Sequence, residues 1–294
     1  MTRPVIAGID TSPGSLTAAH WAAEEAAGRG TELLLVHAGP PTGRGSRGEP
    51  ADLQAAARQL LRDAEAAIAA AHPDLPIRGE LLDGRPAEAL LDAAGDAELL
   101  VLGTRGLGGF RGLLVGSVSL AVAGRTDSPV VLVPQGAGRP GGERREGGEG
   151  AEAAEIVVGL DPQTPADAVL AFAFREAGLH GARLRVVHGW DLPPTYGYAG
   201  WVPPESELRE LGTLETALVR EAVLPWREKH PEVEVAETVR PGGPAGVLVE
   251  ASAGAALVVV GRRTRAHGLG ARLGSVAHAV LHHASAPVAV VPHA

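Results

Sequence analysis

Short apolar runs alternate with longer Ala-, Glu- and Arg-rich stretches along the whole chain. In the first part the runs fall near Val5–Ile9, Leu33–Ala38, Ile77–Leu82, Leu99–Leu102 and Val130–Val133, and they read as strands. The stretches between them, near Ser15–Ala27, Ala51–Ala71, Pro86–Ala94 and Ser117–Arg125, read as helices. The strand runs are Val- and Leu-rich without clean two-residue alternation, as expected when helices cover both faces of a sheet. Five strands alternating with four helices predict an α/β unit with a five-stranded, parallel, doubly wound, Rossmann-like sheet. Right-handed crossovers then place a ligand crevice at the carboxyl ends of the strands.

The pattern occurs twice. VIAGIDTSPGSLTAAHWAAEEA from Val5 returns as IVVGLDPQTPADAVLAFAFREA from Ile156, so Asp10 maps onto Asp161 and His37 onto His188. Farther on, ELLVLGTRG from Glu98 matches ALVVVGRRT from Ala256, and SPVVLVP from Ser128 matches APVAVVP from Ala286. A period of about 150 residues makes each copy a whole domain rather than one turn of a solenoid. The predicted organisation is residues 1–134 as one domain, 135–152 as a Gly-rich charged linker, and 153–294 as a second domain.

Composition narrows the chemistry. There is no cysteine, which excludes disulfides, thiolate nucleophiles and Cys-ligated metals. Lys229 is the only lysine, so no G-x-x-x-x-G-K-[ST] phosphate loop exists. A net charge of −9 argues against a nucleic-acid partner. No apolar run nears the ~18 residues of a membrane span, and Arg3 is followed by a strand pattern rather than a signal peptide; a cytoplasmic location is expected.

Two features fall at the predicted strand ends. Asp10 closes the first run, where a carboxylate can accept hydrogen bonds from ribose hydroxyls or a base amine; DTSPGS is equally turn and helix-cap chemistry. GTRGLGGFRGLLVGS, from Gly103 to Ser117, follows a strand and opens a helix. Gly103 and Gly106 permit close backbone approach and positive φ. Gly116 and Ser117 stand where free N–H groups and the helix dipole attract phosphate. Alternatively, Ser117 is an ordinary helix cap.

Gly103-x-x-Gly106, nine residues, then Gly116-Ser117 is the G-x2-G-x9-G-[ST] signature, and with it the chain resembles the ATP-binding universal stress proteins over almost its whole length, twice. The Asp10 strand end, LLLVHA and SPVVLVP are also similar to that family. The resemblance implies ribose or base contact at Asp10, adenine contact at the Ala38 backbone, and sugar contact at Leu102 and Gly103. It also implies phosphate contact at Gly106, Gly116, Ser117 and Val118. Arg105 and Arg111 are further phosphate candidates or plain surface arginines.

Matching positions in the second copy are Asp161, Gly189, Val260, Gly261, Gly274, Ser275 and Val276. There the second glycine is replaced by Thr264, whose β-branch restricts φ and adds bulk; Arg262, Arg263, Arg265 and Arg272 add compensating charge. His278 and His282 have i, i+4 spacing but lack the Glu of H-E-x-x-H, so no metal site is assigned. Trp190, Tyr196, Tyr198 and Trp201 cluster after the second strand, as a lid, an interface filler or local packing.

The resemblance implies a nucleotide-binding stress or signalling protein. ATP is the expected cofactor, with Mg²⁺ as a companion ion and AMP or cyclic AMP as alternatives. No residue is assigned a catalytic role, because the Gly103–Ser117 loop holds no Asp, Glu, His or Lys; at most weak ATP hydrolysis is expected. The alternative is a slow ATPase or a nucleotidyl-transferring enzyme. The last strands, Val130–Val133 and Val288–Val291, are short and apolar and by the resemblance lie at sheet edges. They predict an intramolecular pseudo-dimer, leaving room for a further homodimer.

Overall fold

The structure, a computed structural model, describes residues 3–39, 51–104, 115–138, 154–191, 204–264 and 273–294. The first half runs β1 (Val5–Gly8), α1 (Pro13–Arg29), β2 (Leu33–Gly39), α2 (Ala51–Ala71), β3 (Ile77–Asp83), α3 (Pro86–Ala94), β4 (Leu99–Gly103), α4 (Ser117–Arg125) and β5 (Val130–Val133). The second runs β6 (Glu155–Gly159), α5 (Asp167–His180), β7 (Arg183–Trp190), α6 (Glu205–Lys229), β8 (Val235–Pro241), α7 (Pro244–Ala251), β9 (Leu257–Arg263), α8 (Ser275–His283) and β10 (Val288–His293). Beyond Gly138, most of the expected linker lies outside the described residues.

Local chemistry sets the boundaries. Pro13 opens α1, Ser12 caps it by accepting from the Ser15 amide, and Gly30 closes it at φ 64°. Its counterpart α5 likewise ends at a left-handed glycine, Gly181. Each half is a parallel five-stranded sheet. The two halves join as one ten-stranded sheet of order β3-β2-β1-β4-β5-β10-β9-β6-β7-β8.

The join is the expected one. β5 and β10 pair antiparallel, with Val288 opposite Leu132, Ala289 opposite Val131 and Val290 opposite Val130. All of Val130–Val133 is fully buried, so each apolar edge covers the other. The outer edges are more open: β3 exposes Arg78, Glu80 and Asp83, and β8 exposes Arg240.

Alternate residues of the strands feed two core layers. On one face Val5, Ala7, Val131 and Ala289 pack with α1, α2, α5 and α6; on the other, Ile6, Leu132 and Val290 pack with α3, α4, α7 and α8. Both layers cross the midline. Because β5 and β10 run antiparallel, the carboxyl ends of the two parallel halves face opposite edges of the sheet. The strand ends where such folds place their ligand crevices therefore lie on opposite sides of the sheet.

Candidate functional site

In the first half, Asp10 sits just past β1, half-buried. Its Oδ1 accepts from the Ser12 amide at 2.9 Å and from the Ser12 hydroxyl. The Ser15 hydroxyl accepts from the Asp10 amide at 3.1 Å and donates to the carbonyls of Asp10 and Ser12. Turn chemistry thus holds the carboxylate at the strand end. On β2, His37 donates from Nδ1 to the Ile9 carbonyl at 2.7 Å, tying the ends of β1 and β2 together below Ala38.

The glycine loop has well-fixed ends. The Gly116 amide donates to the Thr104 carbonyl at 2.7 Å, and the Thr104 amide donates to Val133 at 3.0 Å. Ser119, one turn into α4, donates to the Gly103 carbonyl at 2.8 Å. Gly116 is the N-cap of α4 and makes no side-chain cap bond, so Ser117 is the first helical residue, not the cap. A helix start without a side-chain cap is the kind of place where first-turn amides can meet an anion. Val118 packs its side chain on the core, which leaves its backbone for any contact. Leu102 is buried.

Gly103 corrects one expectation. Among the described residues it is not one of the positive-φ glycines. A side chain is excluded there because a Cβ would meet Gly14 O at 2.9 Å and Ser15 N at 3.2 Å. The glycine lets β4 pass under the start of α1. Arg105, Gly106 and Arg111 lie outside the described residues.

The second half gathers its candidates into one cavity of about 780 Å³. Asp161, Gly189, Val260, Gly261, Gly274, Ser275 and Val276 all line it. Gly274 caps α8 with no side-chain bond, as Gly116 does for α4. Asp161 accepts from the Gln163 amide at 3.2 Å and the Thr164 hydroxyl at 2.7 Å, with Arg263 at 3.9 Å. Thr264 spends both its amide (2.6 Å) and its hydroxyl (2.9 Å) on the His293 carbonyl.

Arg262 does not supply charge to this cavity. It is 3% exposed and donates across the midline to the carbonyl of Thr126, the C-cap of α4. Burial lowers its pKa, with Asp127 opposing that effect. Arg263 does face the cavity.

Sequence reasoning missed Ser119, Thr104 and Glu215. Glu215, on α6, stands 3.2 Å from His188 Nε2, while His188 Nδ1 donates to Leu160 O at 3.0 Å; both residues line the cavity. Nothing local in the chain marks a helix glutamate as a partner of a strand histidine. Trp190 is the last residue of β7 and lines the cavity too; Tyr196, Tyr198 and Trp201 lie outside the described residues.

The His278 and His282 rings stand 4.5 Å apart, and burial together with His278 and His283 lowers the pKa of His282. They acquire no third ligand among the described residues, where the one such group is Glu25, Glu176 and His180. No described helix is long and apolar enough to cross a membrane.

Comparison with known proteins adds a family to this geometry. The Universal stress protein family matches residues 1–134 and 154–292. Universal stress protein Rv2005c of Mycobacterium tuberculosis is 32% identical over 308 residues, spanning 97% of this chain and 96% of that protein. A universal stress protein from Archaeoglobus fulgidus superposes with a TM-score of 0.64 at 17% identity, covering 99% of this chain and 98% of that one. A universal stress protein solved in complex with cAMP is 30% identical, covering 45% of this chain and 96% of that one, at a TM-score of 0.38.

Proposed function

Because the chain belongs to the universal stress protein family, we propose that it binds ATP as a stable regulatory ligand in a stress or signalling role, without efficient catalysis. The observation that carries this reading is the convergence of seven motif positions of the second half on one 780 Å³ cavity. That volume suits a nucleotide, within the ~300–1,000 Å³ of small-ligand sites. The cavity lies at strand carboxyl ends beside an uncapped helix start, where phosphate oxygens would accept from free amides. The first half offers the same elements, with Asp10 held by Ser12 and the α4 amides uncapped. Its intact Gly106 favours tighter binding there than beside Thr264.

The test is native mass spectrometry of freshly purified protein, followed by calorimetry with ATP, AMP and cAMP on the nucleotide-free chain. ATP should co-purify or bind preferentially. Absence of any adenine-nucleotide binding would remove the reading.

One observation favours a second reading, slow hydrolysis in the second half. His188 and Glu215 bring a base-capable pair into the cavity from outside the glycine loop. Measurable ATP turnover abolished by Glu215→Gln would support it. Turnover should otherwise stay far below the typical ~10 s⁻¹ of enzymes.

A further inference from the structure

Where α1 meets α5, the repeat places a buried ionic cluster on the midline. Glu25 and Arg29 of α1 correspond by the repeat to Glu176 and His180 of α5. Both glutamates are fully buried. Arg29 donates to Glu25 Oε2 at 2.9 Å, to Glu176 Oε1 at 2.5 Å and to Glu98 Oε1 at 2.8 Å. His180 Nε2 faces Glu25 Oε1 at 2.7 Å and Glu176 Oε2 at 3.9 Å. Glu176 Oε2 is buried with no hydrogen-bond partner.

The two buried carboxylates share the Arg29 guanidinium with Glu98, and the half-exposed Arg175 stands 3.8 Å from both Glu98 and Glu176, so these three carboxylates face two guanidiniums. Glu24 lies next along α1. One positive charge is lacking, and a proton on the His180–Glu25–Glu176 set supplies it. The repeat has put a permanent cation, Arg29, in one half and a titratable one, His180, at the matching place in the other.

We propose that this cluster is a proton-linked latch between the halves: docking α1 on α5 retains a proton on His180 and its two glutamates, so the halves hold most firmly in mildly acidic solution and loosen as it turns alkaline. The proton would then add a second input to the protein, separate from any nucleotide.

The titration directions agree. Burial opposes the His180 imidazolium, but the Glu25 hydrogen bond and both carboxylates outweigh it and raise its pKa above 6.5. Burial, and then the charge of Glu25, push Glu176 up from 4.5 to about 7. Burial also works on Glu25, yet the His180 bond and the Arg29 charge bring it below 4.5. A group whose pKa rises on folding contributes stability below its unfolded value and loses it as pH passes the folded value. His180 and Glu176 therefore act together: stability falls as pH climbs through about 7, while Glu25 matters only in strong acid. The three titrate as a coupled set rather than singly.

The test uses the ligand-free full chain, with melting temperature followed from roughly pH 6 to roughly pH 8 and with His180 titrated by NMR. The wild type should melt at lower temperature as pH rises, and His180 should titrate above the ordinary histidine value. His180→Arg, which makes the charge permanent, should flatten the profile. Glu176→Gln, which removes the excess negative charge at nearly constant volume, should flatten it as well and serves if the arginine variant does not fold. The latch is overturned by an unshifted His180 titration, or by wild-type slopes in the variant that folds. It is also overturned if Zn²⁺ added to chelator-treated wild type at the alkaline end raises the melting temperature and His180→Gln abolishes that rise. The cluster would then be a metal site.

Discussion

A Cβ on Gly103 would stand 2.9 Å from the carbonyl oxygen of Gly14, closer than backbone tolerates. The end of β4 and the start of α1 are thus in direct main-chain contact beside Asp10. At the matching Gly261 the nearest atoms belong to side chains, His293 Nε2 at 2.9 Å and Val169 Cγ2 at 3.1 Å.

Gly103→Ala should therefore be the costlier of two formally identical substitutions. Main chain cannot swing aside, so a loss of about 1–3 kcal/mol is expected, along with weakened ligand binding in the first half. Gly261→Ala should cost under about 1 kcal/mol, because the imidazole of His293 can turn away. Urea unfolding of both variants measures the difference, and equal costs would show that α1 shifts freely.

Ser119→Ala should destabilise the chain by about 1 kcal/mol through loss of its bond to Gly103 O. The second half already has Ala277 at that position and makes no such bond through it. The reverse change, Ala277→Ser, tests whether the tie is portable: tighter nucleotide binding in the second half is expected by calorimetry.

Thr264→Gly should raise nucleotide affinity in the second half. The change removes the hydroxyl bond to His293 O and a β-branch that lines the cavity. An effect on the order of 1 kcal/mol in binding is expected. Unchanged or weaker binding by calorimetry would show that the threonine assists the ligand.

Arg262→Ala should weaken the junction between halves, since the side chain bonds Thr126 O at a buried site. Loss of a buried, charge-assisted bond predicts about 1.5–3 kcal/mol in chemical unfolding. Arg263→Ala, with a side chain 64% exposed, should stay within about 0.5 kcal/mol in stability and act on ligand affinity instead.

Much of the architecture was legible in the chain. Short Val- and Leu-rich runs between Ala-rich stretches specify buried strands under helices, because burial on both faces removes the polar alternation. The repeat then doubles whatever one half does. Even the join of β5 to β10 follows from an apolar edge strand that needs cover, as VVLV and VAVV show. The glycine spacing marked the end of β4 and both glycine-capped helix starts, since these are local backbone requirements.

What tertiary structure alone decided is which distant side chains meet. Arg262 and Arg263 are neighbours in sequence, yet β9 sends one across the midline to Thr126 and the other into the cavity, because successive strand residues face opposite sides. Glu-x3-Arg in α1 and Glu-x3-His in α5 are visible as repeats, but only helix packing buries them against one another and leaves a proton to complete the charge. Glu215 reaches His188 from a different element for the same reason. Periodicity and turn chemistry are written over a few residues; a pair of side chains from separate helices depends on where the sheet sets those helices down, and on the energy of burying charge once they arrive.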